Sequence, residues 1–453
     1  MGAQTPKLKK DITFFTALTI VMGTVIGSGV FFKPEAVFTA TGTAGLGLLA
    51  WVIGGIITIC GGLTAAELSA SIPQTGGMVV YLRRAYGPLA GYLMGWAQTI
   101  IYFPANIAAL SIIFGTQVAN LFGTGNWVII PVAIAAASYV MFMNFLGAKK
   151  AGSLQSITTI GKLVPLLLII VFGLMHNGEV QFSLLPFSPE SSPLLTSLGS
   201  GLVATMFAYD GWIHVGNIAG EMRNPKKDLP KAIVIGLTSV MAVYLLINIA
   251  YLFVMPASLL AATSTPASDV ASIIFGAFGG KFVTIGILVS VFGAINGYTM
   301  TGIRIPYAMA LNNELPFSGL FTKLNKNSIP VNGGILTIAV SVIMIFSGQF
   351  NQLTDMLIFV IWLFYIMVFV AVFVMRKREP GLERPYKVPL YPFIPIVAIV
   401  GGLYIVFNTL ITQPLNSGIG ILLTAIGLPI YFYKKKQGVF DGPANENVNK
   451  KAA

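Results

Sequence analysis

Two short stretches of this sequence combine residues that spoil a helix with groups that bind ligands. The first reads Gly23-Thr24-Val25-Ile26-Gly27-Ser28-Gly29, the second Phe207-Ala208-Tyr209-Asp210-Gly211-Trp212. Glycine is unfavourable inside helices, so each stretch predicts a break in the backbone hydrogen-bond ladder. A broken helix leaves free carbonyls where one half ends and free amides where the next begins. In the first stretch the carbonyls fall near Gly23, Thr24 and Val25, and the amides on Gly27, Ser28 and Gly29. A helix start carries roughly half a positive charge, and a helix end roughly half a negative one. Small residues leave the amides open to a carboxylate, while the carbonyls suit an ammonium. The pair matches the two charged groups of a zwitterionic amino acid. Gly23 and Gly27 also stand one helical turn apart, so a small-residue helix contact is the alternative for this stretch alone. The second stretch offers the carbonyls of Phe207, Ala208 and Asp210, with aromatic surface from Phe207, Tyr209 and Trp212.

The surrounding chain of 453 residues is 55% hydrophobic and 9% charged. Soluble domains carry about 25% charged residues, so the chain is read as an all-α integral membrane protein embedded in a lipid bilayer. Runs long enough to cross a bilayer predict twelve spans. They fall at roughly 14–37, 44–68, 88–121, 126–147, 156–175, 194–218, 231–254, 280–311, 331–347, 352–376, 390–412 and 416–434. Spans three and eight exceed the needed length, which predicts tilt.

The net charge of +12 raises the possibility of nucleic acid, but its distribution argues against it. With a cytoplasmic N-terminus, the inner segments hold Lys7, Lys9 and Lys10; Arg83 and Arg84; Lys149 and Lys150; and Arg223, Lys226, Lys227 and Lys231. Further along they hold Lys323 and Lys326, a cluster from Arg376 to Lys387, and the C-terminal lysines. Outer loops hold almost none, so the charge is a topology signal that puts both termini in the cytoplasm. Only Lys33, Lys162, Lys281 and Arg304 fall elsewhere. Lys281 and Arg304 are placed to snorkel, and Lys33 lies one turn past the first break, near Glu35.

An odd number of spans, five, separates the two breaks, so the two five-span units run in opposite directions. This predicts an inverted five-plus-five repeat, about residues 10–175 and 194–376, with two extra helices at about 390–434. One transmembrane domain would occupy residues 1–435, followed by a polar, disordered cytoplasmic tail at 436–453. No cleavable signal is expected at the N-terminus.

Asp210 carries two readings. It is a proton or cation site, as intramembrane carboxylates tend to be, or a cap for the half-helix that follows it. Lys162, inside span five, needs partners because an unpaired buried ammonium is unfavourable. Either it snorkels, or it is an internal cation bonding the loose carbonyls of span one and a hydroxyl of span eight such as Ser290. In the second case it occupies the place where a sodium-driven carrier holds its ion. Glu67 is expected to pair with Arg83 or Arg84. Cys60 is the single cysteine and is read as inert packing. There is no Walker loop and no Cys/His cluster, so no ATP motor, metal, cofactor or enzymatic constellation is expected.

The Gly23-to-Phe31 stretch, Glu67 to Gly87, Gly161-Lys162-Leu163, Phe207 to Trp212 and Gly220-Glu221 together resemble the amino acid–polyamine–organocation superfamily. Within it they resemble the L-amino-acid transporter group, especially bacterial serine/threonine and alanine/serine/cysteine exchangers. The resemblance runs over about residues 10–435. It implies the leucine-transporter type of inverted-repeat fold and sodium-independent exchange across the inner (plasma) membrane. By position it puts carboxylate-binding amides on Gly27, Ser28 and Gly29, ammonium-binding carbonyls on Val25, Phe207 and Asp210, and a buried lysine on Lys162. Many family members have Gly or Ser where this chain has Asp210, so only its carbonyl carries over. Animal members join a heavy chain through a cysteine between spans three and four. Phe122 to Trp127 has none, so no disulfide-linked heavy chain is expected. The reading is therefore an antiporter of small neutral L-amino acids of the Ala, Ser, Thr, Cys and Gly type, with spans three, six, eight and ten lining the side-chain pocket. Candidates there are Asn106, Phe207 and Asn296. The alternative is a proton-coupled symporter in which Lys162 or Asp210 titrates.

Overall fold

The computed structural model describes residues 13–72, 77–147, 151, 154, 157–158, 161–176, 183–185, 193–213 and 222–440. Gly220-Glu221, the end of the sixth span and the basic residues Lys7, Lys9, Lys10, Lys149 and Lys150 lie outside that set. Every regular element among the described residues is a helix. In chain order these are α1 (Phe14–Val25), α2 (Gly29–Thr41), α3 (Ala44–Ser71), α4 (Met78–Tyr86), α5 (Pro88–Ala97) and α6 (Phe103–Phe122). Then come α7 (Ile129–Phe145), α8 (Leu163–Leu174), α9 (Leu194–Ala208), α10 (Pro225–Val254), α11 (Ala257–Ala261), α12 (Pro266–Gly302) and α13 (Arg304–Leu311). The last are α14 (Ser318–Phe321), α15 (Val331–Ile345), α16 (Phe350–Arg378), α17 (Phe393–Thr412), α18 (Pro414–Ala425) and α19 (Gly427–Lys436).

Among the described residues, the apolar runs read from the sequence fall mainly on helix. Among the described residues, eight helical segments are long and apolar enough to cross a membrane, and α1 with α2 forms a further bent pair with a 43° break. The shorter helices α8, α9 and α15 are apolar too. Pro88 opens α5 at a position where a missing N–H costs nothing, and a π turn over Gln98–Tyr102 joins α5 to α6. The eighth run begins earlier than expected. Gly276 adopts φ 70°, ψ 178°, a conformation open to glycine and strained for other residues, so α12 turns there and its first segment starts at Pro266. At the other end the packed chain extends past Lys436, because Phe440 is buried against Tyr92 and Tyr431.

The polar ends of the bundle are tied by ion pairs, and one expected pair is replaced. Met78, Tyr81, Leu82 and Ala85 form the buried stripe of α4, at helical spacing. That burial turns Arg83 toward Glu314 (2.5 Å) and Arg84 toward Glu379 (2.5 Å). Glu67 therefore pairs with neither. It receives Arg376 in a two-pronged contact at 2.8 and 2.6 Å and the Val388 N–H at 2.8 Å, with Arg384 at 3.6 Å.

Around the breaks, α2 packs on α9, and α10 packs on both α1 and α3. The contact between α2 and α9 leaves no room for a side chain. A Cβ on Gly29 would sit 2.6 Å from Ala208 Cα.

Candidate functional site

The two breaks face each other. In the first, Ile26 N–H is the last amide to bond back into α1, reaching Met22 O at 2.8 Å. Phe31 and Phe32 N–H begin the next ladder on Ser28 O, at 3.0 and 3.2 Å. The amides of Gly27, Ser28 and Gly29 fall between the two ladders. In the second, Tyr209 N–H closes α9 onto Thr205 O at 3.0 Å, and Gly211 follows at φ 102°. The two are stitched together by Thr24, whose hydroxyl reaches Gly211 O at 3.5 Å.

A stronger link comes from α10. The buried Tyr244 hydroxyl lies 2.7 Å from Val25 O and 2.9 Å from Ala208 O, so its single proton is shared between the last carbonyl of each half-helix. One turn and two turns further on, Asn248 bonds Tyr244 O at 2.8 Å and Tyr251 bonds Val30 O at 3.3 Å. The sequence reading did not single out these residues. Their spacing, i, i+4 and i+7 in an apolar helix, is a legible polar stripe along one face.

Lys162 immediately precedes α8, is 6% exposed, and donates its ammonium to Gly23 O. It reaches a loose carbonyl of α1 instead of snorkelling. The expected bond to Ser290 is not made. Ser290 lines the same cavity, but among the described residues its buried hydroxyl has no hydrogen-bond partner.

Asp210 is 4% exposed and is held by two tyrosines. The Tyr102 hydroxyl donates to it at 2.5 Å and the Tyr365 hydroxyl at 2.7 Å. Two donors converging on a carboxylate form strong, charge-assisted bonds. Tyr102 closes the π turn of the third span, and such turns recur at functional sites. The residues that Asp210 is expected to cap, after Ile213, lie outside the described set.

These groups enclose a cavity of about 80 Å³. Val25, Gly27, Ser28, Gly29, Phe207, Asp210, Lys162 and Ser290 all line it, and Ala208 does not. Ala208 instead packs beneath Gly29 and gives its carbonyl to Tyr244. Two expected pocket residues are also displaced. Asn106 turns its amide to Tyr102 O at 2.9 Å. Asn296 accepts from Asn144 at 2.9 Å and donates to Ala151 O at 3.0 Å. Both are tie points between or within helices, and the wall there is built by Phe103, Leu110, Tyr298 and Thr301. Among the described residues no group of three or more His, Cys, Asp or Glu could hold a metal.

Chemically, the cavity presents backbone amides, a fixed ammonium, a carboxylate and helix-end carbonyls within an apolar wall. The sequence matches the amino acid permease family model over residues 12–430. It is 43% identical to the serine/threonine exchanger SteT of Bacillus subtilis over 432 residues, 95% of this chain and 98% of that protein. It is 32% identical to the mouse b(0,+)-type amino acid transporter 1 over 95% of this chain and 88% of that one. The human cystine/glutamate transporter is 30% identical over 95% of this chain and 86% of its own.

Proposed function

We propose a function from one premise: the chain belongs to the amino acid permease family, and is a membrane transporter of amino acids rather than an enzyme. On this reading it exchanges small neutral L-amino acids, serine and threonine among them, without sodium. Its twelve spans form a five-plus-five inverted repeat with two added helices, in the plasma membrane, with both termini cytoplasmic and no disulfide-linked heavy chain.

The observation that carries the reading is the Lys162 ammonium on Gly23 O at the end of α1. A helix that ends inside the membrane presents carbonyls with partial negative charge, and these need a cation. A covalently attached ammonium supplies one permanently, so no sodium ion is required and no ion gradient is harnessed there. Without an ion to drive the return step, a second substrate molecule on the far side supplies it. Exchange follows.

The substrate carboxylate would lie on the amides of Gly27, Ser28 and Gly29. Its ammonium would lie on the carbonyls of Val25, Phe207 and Asp210. Tyr244 uses one lone pair of Val25 O, and a carbonyl has two. Substrate size is set by Phe103, Leu110, Phe207 and Tyr298 around a small cavity, and the similarity to a serine/threonine exchanger supports small hydroxylated substrates. The test is uptake of labelled serine by proteoliposomes loaded with unlabelled amino acid, run over a panel of loads. The expected result is strong stimulation by serine, threonine and alanine inside, and little by lysine or tryptophan. Equal uptake into loaded and empty vesicles would overturn the proposal.

One observation favours a second reading. Asp210 lines the cavity between two tyrosine hydroxyls, a setting suited to carrying a proton. In a proton-coupled symporter, an inward pH gradient would drive uptake into empty vesicles.

A further inference from the structure

A second cavity takes no part in the receptor described above. It is a groove of about 240 Å³ between α8 and the part of α12 that follows the turn at Gly276. Val164 and Leu168 form one wall, and Phe282, Ile285 and Val289 form the other. Two glycines bring the backbones close within it. A Cβ on Gly161 would lie 3.0 Å from Val289 Cγ1, and one on Gly286 would lie 3.1 Å from Pro165 Cγ. The groove opens sideways, because Val164, Phe282 and Ile285 are 46%, 58% and 51% exposed. Both helices are apolar segments of a membrane protein, so what these side chains face is lipid.

The lining selects the occupant. None of the lining side chains carries a polar atom, and an apolar cavity far larger than a water stays dry and takes an apolar guest. From Phe282 to Val289 the helix rises about 10 Å, roughly two-thirds of one leaflet of a hydrocarbon core about 30 Å thick. An acyl chain entering from the headgroup level fills that depth.

The headgroup has a partner too. Lys281 adjoins Phe282 and stands one turn before Ile285, at the end of the span that the charge pattern puts outside. It is exposed and makes no ion pair among the described residues. A lysine at the edge of the hydrocarbon lays its stem along apolar surface and lifts its ammonium to the headgroups, where it attracts anionic lipid.

We propose that the groove between α8 and α12 is a phospholipid site, with one acyl chain in the groove and an anionic headgroup on Lys281. The proposal rests on the membrane topology and not on exchange.

The test is photocrosslinking of the full chain in phosphatidylcholine vesicles. The probe is phosphatidylglycerol bearing a diazirine in one acyl chain. Peptide mass spectrometry should place adducts on residues 161–168 and 282–289 at least about fivefold above those on Ile335 and Ile343 of α15, which are 52% and 71% exposed. A phosphatidylcholine probe with the same chain should mark the groove about fivefold less, the effect of one basic residue near a membrane surface. Even labelling of all lipid-facing helices, or equal labelling of the groove by both probes, would overturn the site. Both of those results come from the parent protein, so neither depends on a variant folding. Lys281→Gln should bring the two probes level, and Val164→Trp, which fills the groove, should lower the adducts of both; unchanged adducts in both variants would overturn the assignment. Inorganic phosphate carries the charge without the chain, and in excess it should leave the adducts unchanged. Displacement by phosphate would make Lys281 a free-anion site and overturn the proposal. Failure of serine exchange in its own assay leaves these adducts unaffected, so the two readings fail separately.

Discussion

Replacing Gly29 by alanine asks whether the two breaks form a single receptor. The added methyl would lie 2.6 Å from Ala208 Cα and 2.8 Å from Ala208 Cβ. Carbon atoms pack at about 3.5–4.0 Å, so α2 and α9 must part by about 1 Å. Neither neighbour is the end of a flexible side chain, so the strain is not absorbed by a rotamer change. Overpacking of this kind costs about 1–3 kcal/mol. Borne by the substrate-binding geometry, that is a loss of roughly 5- to 150-fold in affinity. Binding of labelled serine to purified protein in a scintillation proximity assay measures it. Gly319→Ala is the control, since a methyl there meets nothing within 4 Å. In the Gly29→Ala background, Ala208→Gly removes the clash with the methyl of residue 208 but not the clash with its backbone, so it should restore part of the affinity. A Gly29→Ala protein that binds serine within about twofold of the parent, with an unchanged melting temperature, would refute the idea that the breaks are held in register by this close packing.

Other substitutions probe the remaining parts of the receptor. Lys162→Met removes a hydrogen bond from a charged donor, worth about 1.5–3 kcal/mol, and should cut serine exchange by about tenfold or more, read as initial rates in loaded vesicles. Tyr244→Phe leaves the Val25 and Ala208 carbonyls without their shared donor. Thermal-shift and binding assays should show a lower melting temperature and an affinity loss of about 5- to 30-fold, the effect of 1–2 kcal/mol. Asp210→Asn keeps the backbone carbonyl and changes only the carboxylate. Exchange should stay within about threefold of the parent, less than 1.4 kcal/mol. A parent whose uptake into empty vesicles is driven by a pH gradient, with that drive lost in Asp210→Asn, would establish the proton-coupled reading instead.

Both breaks were legible because glycines and a carboxylate stand out in apolar helices, where each carries an evident cost. The link from Lys162 to α1 was legible for a similar reason, since a cation in a membrane span must find carbonyls. The choice of partner was not. Ser290 looked suitable because it is polar on the facing span, but only geometry decides which of several acceptors an ammonium reaches. Glu67 shows the same limit. Arg83 and Arg84 are near in sequence, whereas Arg376 and Arg384 come from beyond the sixteenth helix's midpoint, and nothing in a single sequence ranks a distant partner above a near one. Asn296 reads as a site residue from its polarity alone, yet Asn144 on α7 satisfies it. Tyr244 was overlooked because tyrosine is common in membrane spans, and only its alignment with Asn248 and Tyr251 sets it apart.

Exchange of small neutral amino acids without an ion is put to the sharpest test by serine counterflow in sodium-free medium. Proteoliposomes loaded with unlabelled serine should accumulate labelled serine at least about tenfold above empty vesicles, and added sodium should leave the rate unchanged, as expected if Lys162 already fills the cation's place. Uptake that is equal in loaded and empty vesicles, or that requires sodium, would contradict the account.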